Sequence, residues 1–358
     1  MPAAATQTIL VAGALADPDW LGRDVFAACA SQPQWRALLR DSQLLEQQAS
    51  PALAPPEAPH EQWLRRAFRL PSDDSVAAHA ALADGVEPPC WRLDPVHVHV
   101  GRDHLVLTDP ALLQVSADDA AALAQAIEPL LRDESLALDA RTPSRWYLRE
   151  TDPQRALRVS AKSLASAVGR SIELYLPEGA DARRWRRLLN EIQMTWFDHP
   201  VNRQRAQRAL APVNSVWLCG RLREPRDAVP TPDAPPSLDP LPVPAEIRGL
   251  LQRAAGSQSG TGLAAVSFQL LRDRLSSDPQ AWARDWSDVI GRAAAVAPTL
   301  ARGQARLVLT GDSGWKTVGW PALARLRFWR RAAPESLLED RAGTAPQTPG
   351  DAGAGGDR

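Results

Sequence analysis

Leu189-Asn-Glu-Ile-Gln-Met194, His199-Pro-Val-Asn-Arg-Gln-Arg205 and Ala211-Pro-Val-Asn-Ser-Val-Trp-Leu-Cys-Gly220 form the stretch from which this chain is read. The first piece belongs to a helical pattern over 181–198. Within it, Trp185, Leu188, Leu189, Ile192 and Trp196 recur at the spacing of a buried stripe. Asp181 stands at the N-cap position, and Pro200 lies just beyond the stop. Asn190, Gln193 and Phe197 fall on an adjacent face. The third piece ends as a short apolar strand. Asn202 and Asn214 suit tight turns, because Asn tolerates the left-handed region and closes Asx-turns. The same residues also have a functional reading. Asn190, His199, Asn202, Arg205 and Asn214 would form a polar pocket, with Arg205 holding a phosphate or carboxylate.

On the N-terminal side, residues 8–15 read as a buried strand ending near Gly13. Residues 26–48 follow with helical spacing. Residues 50–59 hold four prolines and read as a loop, and 60–69 as a helix. From Cys90 the period changes. Residues 91–100 and 104–108 read as a hairpin about Gly101-Arg102-Asp103. Ser116-Ala-Asp-Asp119 is a capping signature that opens a helix to about residue 131. Residues 136–138 and 145–149 complete a small α+β unit.

On the C-terminal side, 225–244 holds eight prolines in twenty residues and reads as a linker. Residues 244–254, 263–275, 282–301 and 321–331 read as helical, and 306–310 as a short buried strand. Residues 256–262 read as flexible, and the tail from 343 as disordered. The resulting organisation is an α/β core in two pieces, 1–85 and 245–341. An inserted α+β unit fills 86–224, and the linker 225–244 and a tail 342–358 complete the chain.

Composition narrows the function. The chain has 358 residues, and 41 Lys and Arg against 42 Asp and Glu leave a net charge of -1. That balance argues against a nucleic-acid partner. No apolar run reaches the ~20 residues of a membrane span, and no basic segment precedes the first apolar run. A cytoplasmic protein without a membrane partner is expected. Three scattered cysteines form neither a disulfide framework nor a zinc spacing.

His97, His99 and His104 share a hairpin face, but no carboxylate or thiolate is tied to them by spacing. They read as hydrogen-bonded sheet histidines rather than metal ligands. Gly311-Asp312-Ser313-Gly314 copies the tetrapeptide around a trypsin-like nucleophile without the strand pattern or histidine context of those enzymes, and reads as a turn. Neither GxxxxGK[ST] nor GxGxxG occurs.

The three opening motifs, with Trp91-Arg-Leu-Asp-Pro-Val-His-Val-His-Val100, resemble the RpfE-type regulatory proteins of Gram-negative bacteria. That family is often classed with cofactor-independent phosphoglycerate mutases. The likeness runs over 10–331 and is densest over 91–220. Asn202, Arg205, Pro212, Asn214, Trp217 and Gly220 match the archaeal-type mutase pattern HPVN-x-x-R…G-x-x-PAN-x-x-W-x-x-G, and Ala209 stands where the mutases tend to have Gly. The resemblance implies an alkaline-phosphatase-like core with a serine nucleophile and two divalent metals. It also implies Asp-Gly after the first strand, where this chain has Ala12-Gly13. Thr-Gly-Asp-His is implied near the last strand, where this chain has Thr310-Gly311-Asp312-Ser313. No histidine follows His199.

The expected protein is therefore a degenerate member with Asp312 as a remnant of the metal site, no catalytic residue and no cofactor. It would be a non-catalytic regulator that binds a small anionic ligand or a protein partner. Two alternatives stay open. One is an active mutase or phosphatase-type enzyme using Mn or Mg. The other is a structural interaction partner.

Overall fold

The computed structural model describes residues 6–51, 53–101, 104–223, 235–240, 242–254, 262–300, 303–321 and 333–340. Most of the expected linker 225–244, the flexible stretch 256–262, the helix 321–331 and the tail from 343 lie outside the described residues.

The strands in chain order are β1 (Gln7–Val11), β2 (Gln43–Ala49), β3 (Cys90–Val96), β4 (Val98–Val100), β5 (Leu105–Leu107), β6 (Leu136–Asp139), β7 (Trp146–Glu150), β8 (Ser215–Leu222), β9 (Gly262–Ser267), β10 (Ala305–Thr310) and β11 (Gly314–Gly319). The architecture is mixed α/β. One sheet has the order β2-β11-β10-β1-β9, with β1 parallel to both β9 and β10 and with β11 and β2 antiparallel.

Ile9, Leu10 and Val11 of β1 are fully buried because both faces of the strand are covered. Ile9 and Val11 pack with Leu307 and Leu309 against Trp282 and Trp286 of the Pro279–Val296 helix. Leu10 and Ala12 pack on the other face with Trp63, Leu64, Ile247 and Leu250. The two indoles of Trp282 and Trp286 stack at 5.1 Å, and Trp282 Nε1 donates to the Gly13 carbonyl at 2.8 Å. That bond ties the helix to the end of β1.

The second sheet, β6-β7-β3-β8, is antiparallel. Ala117–Asp133 and Ala182–Phe197 cover it, and Trp185, Leu188, Ile192 and Trp196 fill its core. Ser116 caps the first of these helices by accepting from Asp119 N at 3.0 Å. Asp181 does not cap the second with its side chain. It accepts instead from Arg158, at the backbone N and at Nε.

Two helical expectations are corrected. The stretch 26–48 forms the helices Arg23–Ser31 and Pro33–Leu38 and then strand β2, where Leu44 and Leu45 are exposed. The leucine spacing fits a helix locally, but β11 offers this segment a backbone ladder. Similarly, 263–275 opens as strand β9 on β1 before the helix Gln269–Leu275. The expected strand 91–100 divides after Val96. There the Asn214 amide takes the place of a neighbouring backbone, accepting from Val98 N at 2.8 Å and donating to Val98 O at 2.8 Å.

Candidate functional site

Asn202 donates from Nδ2 to the carbonyls of Trp196 at 2.8 Å and Val213 at 2.9 Å, and its Oδ1 accepts from Val213 N at 2.9 Å. It bolts the end of one helix to the start of β8. Arg205, 1% exposed, donates from Nε to Ala211 O at 2.9 Å and from Nη2 to Leu113 O at 2.5 Å. Its Nη1 meets Asp119 Oδ2 at 3.3 Å. Asn214 is committed to Val98 on both its polar atoms. His199 caps the Pro200–Gln207 helix, its Nδ1 accepting from Val201 N at 3.3 Å. Asn190 lies exposed on the outer face of its helix.

Thus Asn202, Arg205 and Asn214 spend their hydrogen bonds on backbone and on Asp119, and none of them lines the cavity described below. The residue type and offset that signal an anion anchor also suit a guanidinium that ties three chain segments together. The histidine trio is divided in the same way. His97 bonds Pro212 O at 2.9 Å, His99 bonds Thr108 Oγ1 at 3.1 Å, and their rings stack at 5.8 Å.

The more informative place is the carboxyl edge of the five-stranded sheet, where ligands of parallel α/β sheets usually sit. Gly13 has φ +75°, and a Cβ there would overlap the backbone of Leu270 and Leu271. Beside it β10 ends in Thr310, whose hydroxyl accepts from Gly13 N at 3.2 Å. Arg274 lies across this edge. Its Nη1 donates to Leu15 O at 2.8 Å, and its Nη2 meets Asp312 Oδ2 at 2.5 Å and Asp340 Oδ2 at 3.4 Å. The Trp20 ring lies 5.0 Å from the guanidinium carbon. Arg170 approaches Asp312 from the other side at 3.9 Å.

This donor set does not fit a pair of divalent cations. Asp312 faces two guanidinium groups. Asp340 is enclosed by the donors of Asp312, Ser313 and Arg274, and burial raises its pKa against the pull of Arg274. Ala12 is buried in the apolar cluster. Among the described residues no three His, Cys, Asp or Glu side chains converge in a metal-binding group.

A cavity of about 330 Å³ opens beside this edge, between the two sheets' units. Its walls include His60, Glu61, Arg92, Asp109, Arg145 and Arg272. Arg92 grips Asp94 with two nitrogens, and Arg145 grips Asp84 at 2.9 Å through Nε and Nη2. Burial pushes the His60 imidazole down to about 4, so it is neutral at pH 7. Burial, and then the nearby Glu57, push the Glu61 carboxyl up to about 8. The cavity therefore presents the paired guanidinium groups of Arg92 and Arg145, Arg272, a neutral imidazole, the largely protonated Glu61 and the carboxyls of Asp109 and Glu246. Sequence reasoning missed Glu61, Arg274 and Asp340. No local pattern marks them, since each acquires its surroundings from distant segments.

No family model matches the chain. A "probable 2,3-bisphosphoglycerate-independent phosphoglycerate mutase" of Geobacter sulfurreducens is 26% identical over 152 residues, which are 42% of this chain and 38% of that protein. The similarity thus spans well under half of the relative's length. Among solved structures, the cofactor-independent phosphoglycerate mutase of Thermoplasma acidophilum aligns with TM-score 0.34 at 14% identity, over 88% of this chain and 89% of that one. A protein of Pyrococcus horikoshii aligns with TM-score 0.47 at 11% identity, over 88% and 86%. The chain has weak homology to cofactor-independent phosphoglycerate mutase. Among the described residues no helix is long and apolar enough to cross a membrane.

Proposed function

We propose that the chain is a non-catalytic regulatory protein of the RpfE type, built on a phosphoglycerate-mutase-like frame and responding to a small anionic ligand. The observation that carries this reading is Arg274. Its buried guanidinium spans the edge at which two-metal phosphoryl transfer would need converging carboxylates and imidazoles. A cation fixed by covalent attachment pairs with Asp312 and Asp340 there, and Ala12 supplies no ligand at the end of β1. The ligand's place is the cavity beside this edge, where Arg272 carries a buried Nη1 with no hydrogen-bond partner. Met194 and Phe197, 77% and 83% exposed on one helix, support a protein partner as the output of such binding.

The test is a coupled assay of interconversion between 3- and 2-phosphoglycerate with Mn or Mg added. No turnover above a no-enzyme control is expected. Metal-dependent turnover that Asp312→Ala abolishes would overturn the proposal. It would establish the second reading, an active mutase, which the similarity to the Geobacter protein favours.

A further inference from the structure

The turn Gly311-Asp312-Ser313-Gly314 has the form of an anion receptor, and it is already filled. Two successive backbone N–H groups point at one carboxylate: Asp312 N donates to Asp340 Oδ2 at 2.6 Å, and Ser313 N to Oδ1 at 3.2 Å. The Ser313 hydroxyl adds a short bond to Oδ1. Arg274 Nη2 supplies a positive charge at 3.4 Å. Convergent backbone donors, a hydroxyl and a guanidinium are the groups that bind phosphate and carboxylate oxygens. The carboxylate comes so close that a Cβ at position 311 would overlap its oxygens, which explains glycine at that position.

Asp340 is delivered by the segment Ala333–Asp340, which is anchored separately. Leu337 and Leu338 are buried in the main core, Ala16 N donates to Leu338 O at 2.9 Å, and Asp340 N donates to Ala16 O at 2.9 Å. Lys316 Nζ holds the carbonyls of Ser336 and Glu339, both at 2.6 Å. These anchors hold the carboxylate in place independently of the cradle.

We propose that the 311–314 turn is an oxyanion-binding cradle which the chain occupies with its own Asp340 carboxylate, so that inorganic phosphate and similar small oxyanions are shut out of it. This site is distinct from the cavity assigned above to the ligand.

The probe is inorganic phosphate at constant ionic strength, with the unfolding temperature as readout. Wild type should respond no more than the cavity beside the sheet edge allows, because its cradle is filled. Asp340→Ala vacates the cradle, so its melting temperature should rise with phosphate concentration, as mass action requires for a ligand of the native state. The double variant Asp340→Ala/Arg274→Met should fall back to the wild-type response. Should Asp340→Ala fail to fold without phosphate, recovery of the fold by phosphate supports the cradle equally. Asp340→Gly, which also removes the carboxylate, carries the same comparison.

A wild-type response equal to that of the variant overturns the proposal. So does an increase over wild type that survives Arg274→Met, no increase in either Asp340 variant, or failure of both to fold even with phosphate. None of these results depends on mutase activity, so the cradle and the non-catalytic reading stand or fall separately.

Discussion

Glu61 accepts a hydrogen bond from the hydroxyl of Ser163, 102 positions away, and so joins the Pro59–Ala67 helix to the N-cap of Leu164–Ala167. The same oxygen accepts from Ala58 N at 2.8 Å. Both groups are buried, and Glu57 and Glu246 add negative potential. The carboxyl therefore titrates near 8 when folded, against an ordinary 4.5. Between those values the folded chain keeps a proton that the unfolded chain has released, so stability falls as pH rises. The slope from this group approaches about 1.4 kcal/mol per pH unit. Two histidines act oppositely at lower pH. His60 and His79 are both lowered to about 4 from 6.5, so stability drops as pH falls below 6.5. The raised Asp273, at about 6, has finished titrating below that window's upper end. Urea titrations between pH 6.5 and 8 should show a decline that Glu61→Gln flattens. An unchanged slope in Glu61→Gln would show that the carboxyl is already ionised.

Arg205→Ala should cost about 3–5 kcal/mol, because it leaves the Asp119 carboxylate facing a buried void and frees two carbonyls. Arg205→Lys should recover only part of the loss, since an ammonium cannot span Leu113, Ala211 and Asp119 in one plane. Chemical denaturation is the measurement. A variant as stable as wild type would return Arg205 to the role of ligand anchor.

Ala209 has φ +55°, a left-handed conformation at the position where the mutase pattern has glycine. An alanine there is strained by about 1–2 kcal/mol. Ala209→Gly should therefore raise stability, by less than the strain because glycine also loses more backbone entropy on folding. Differential scanning calorimetry of the two proteins decides the sign.

Trp185→Ala and Trp196→Ala should each cost ~3–5 kcal/mol, as large-to-small core changes do. Arg184, next along the helix, is not the neutral surface position its place on the periodic pattern suggests. It bonds Glu134 Oε2 at 2.5 Å and the carbonyls of Glu134 and Arg155. Its removal should cost about 1–3 kcal/mol. Arg183→Ala, at an exposed position of the same turn, should cost under ~0.5 kcal/mol. Urea titrations of the three variant types give the comparison, and equal losses at 183 and 184 would contradict it.

What the sequence by itself determined is what short-range spacing governs. The apolar run of β1, the capped helix after Ser116 and the stripe from Trp185 to Trp196 are legible because period and caps act within one or two turns. Its matches to the mutase pattern also marked residues that matter, but not how. Only the tertiary structure decided that 43–49 is a strand, since a leucine pair fits either period until β11 supplies a ladder. The same holds for function. Arg205 reads as an anchor until Leu113 and Asp119 arrive from 92 and 86 positions away. The Gly311–Gly314 turn reads as a bare turn until Asp340 is laid into it by a segment anchored in the main core. A polar side chain's role is set by which partner reaches it first, and those partners are brought by packing rather than by neighbouring sequence.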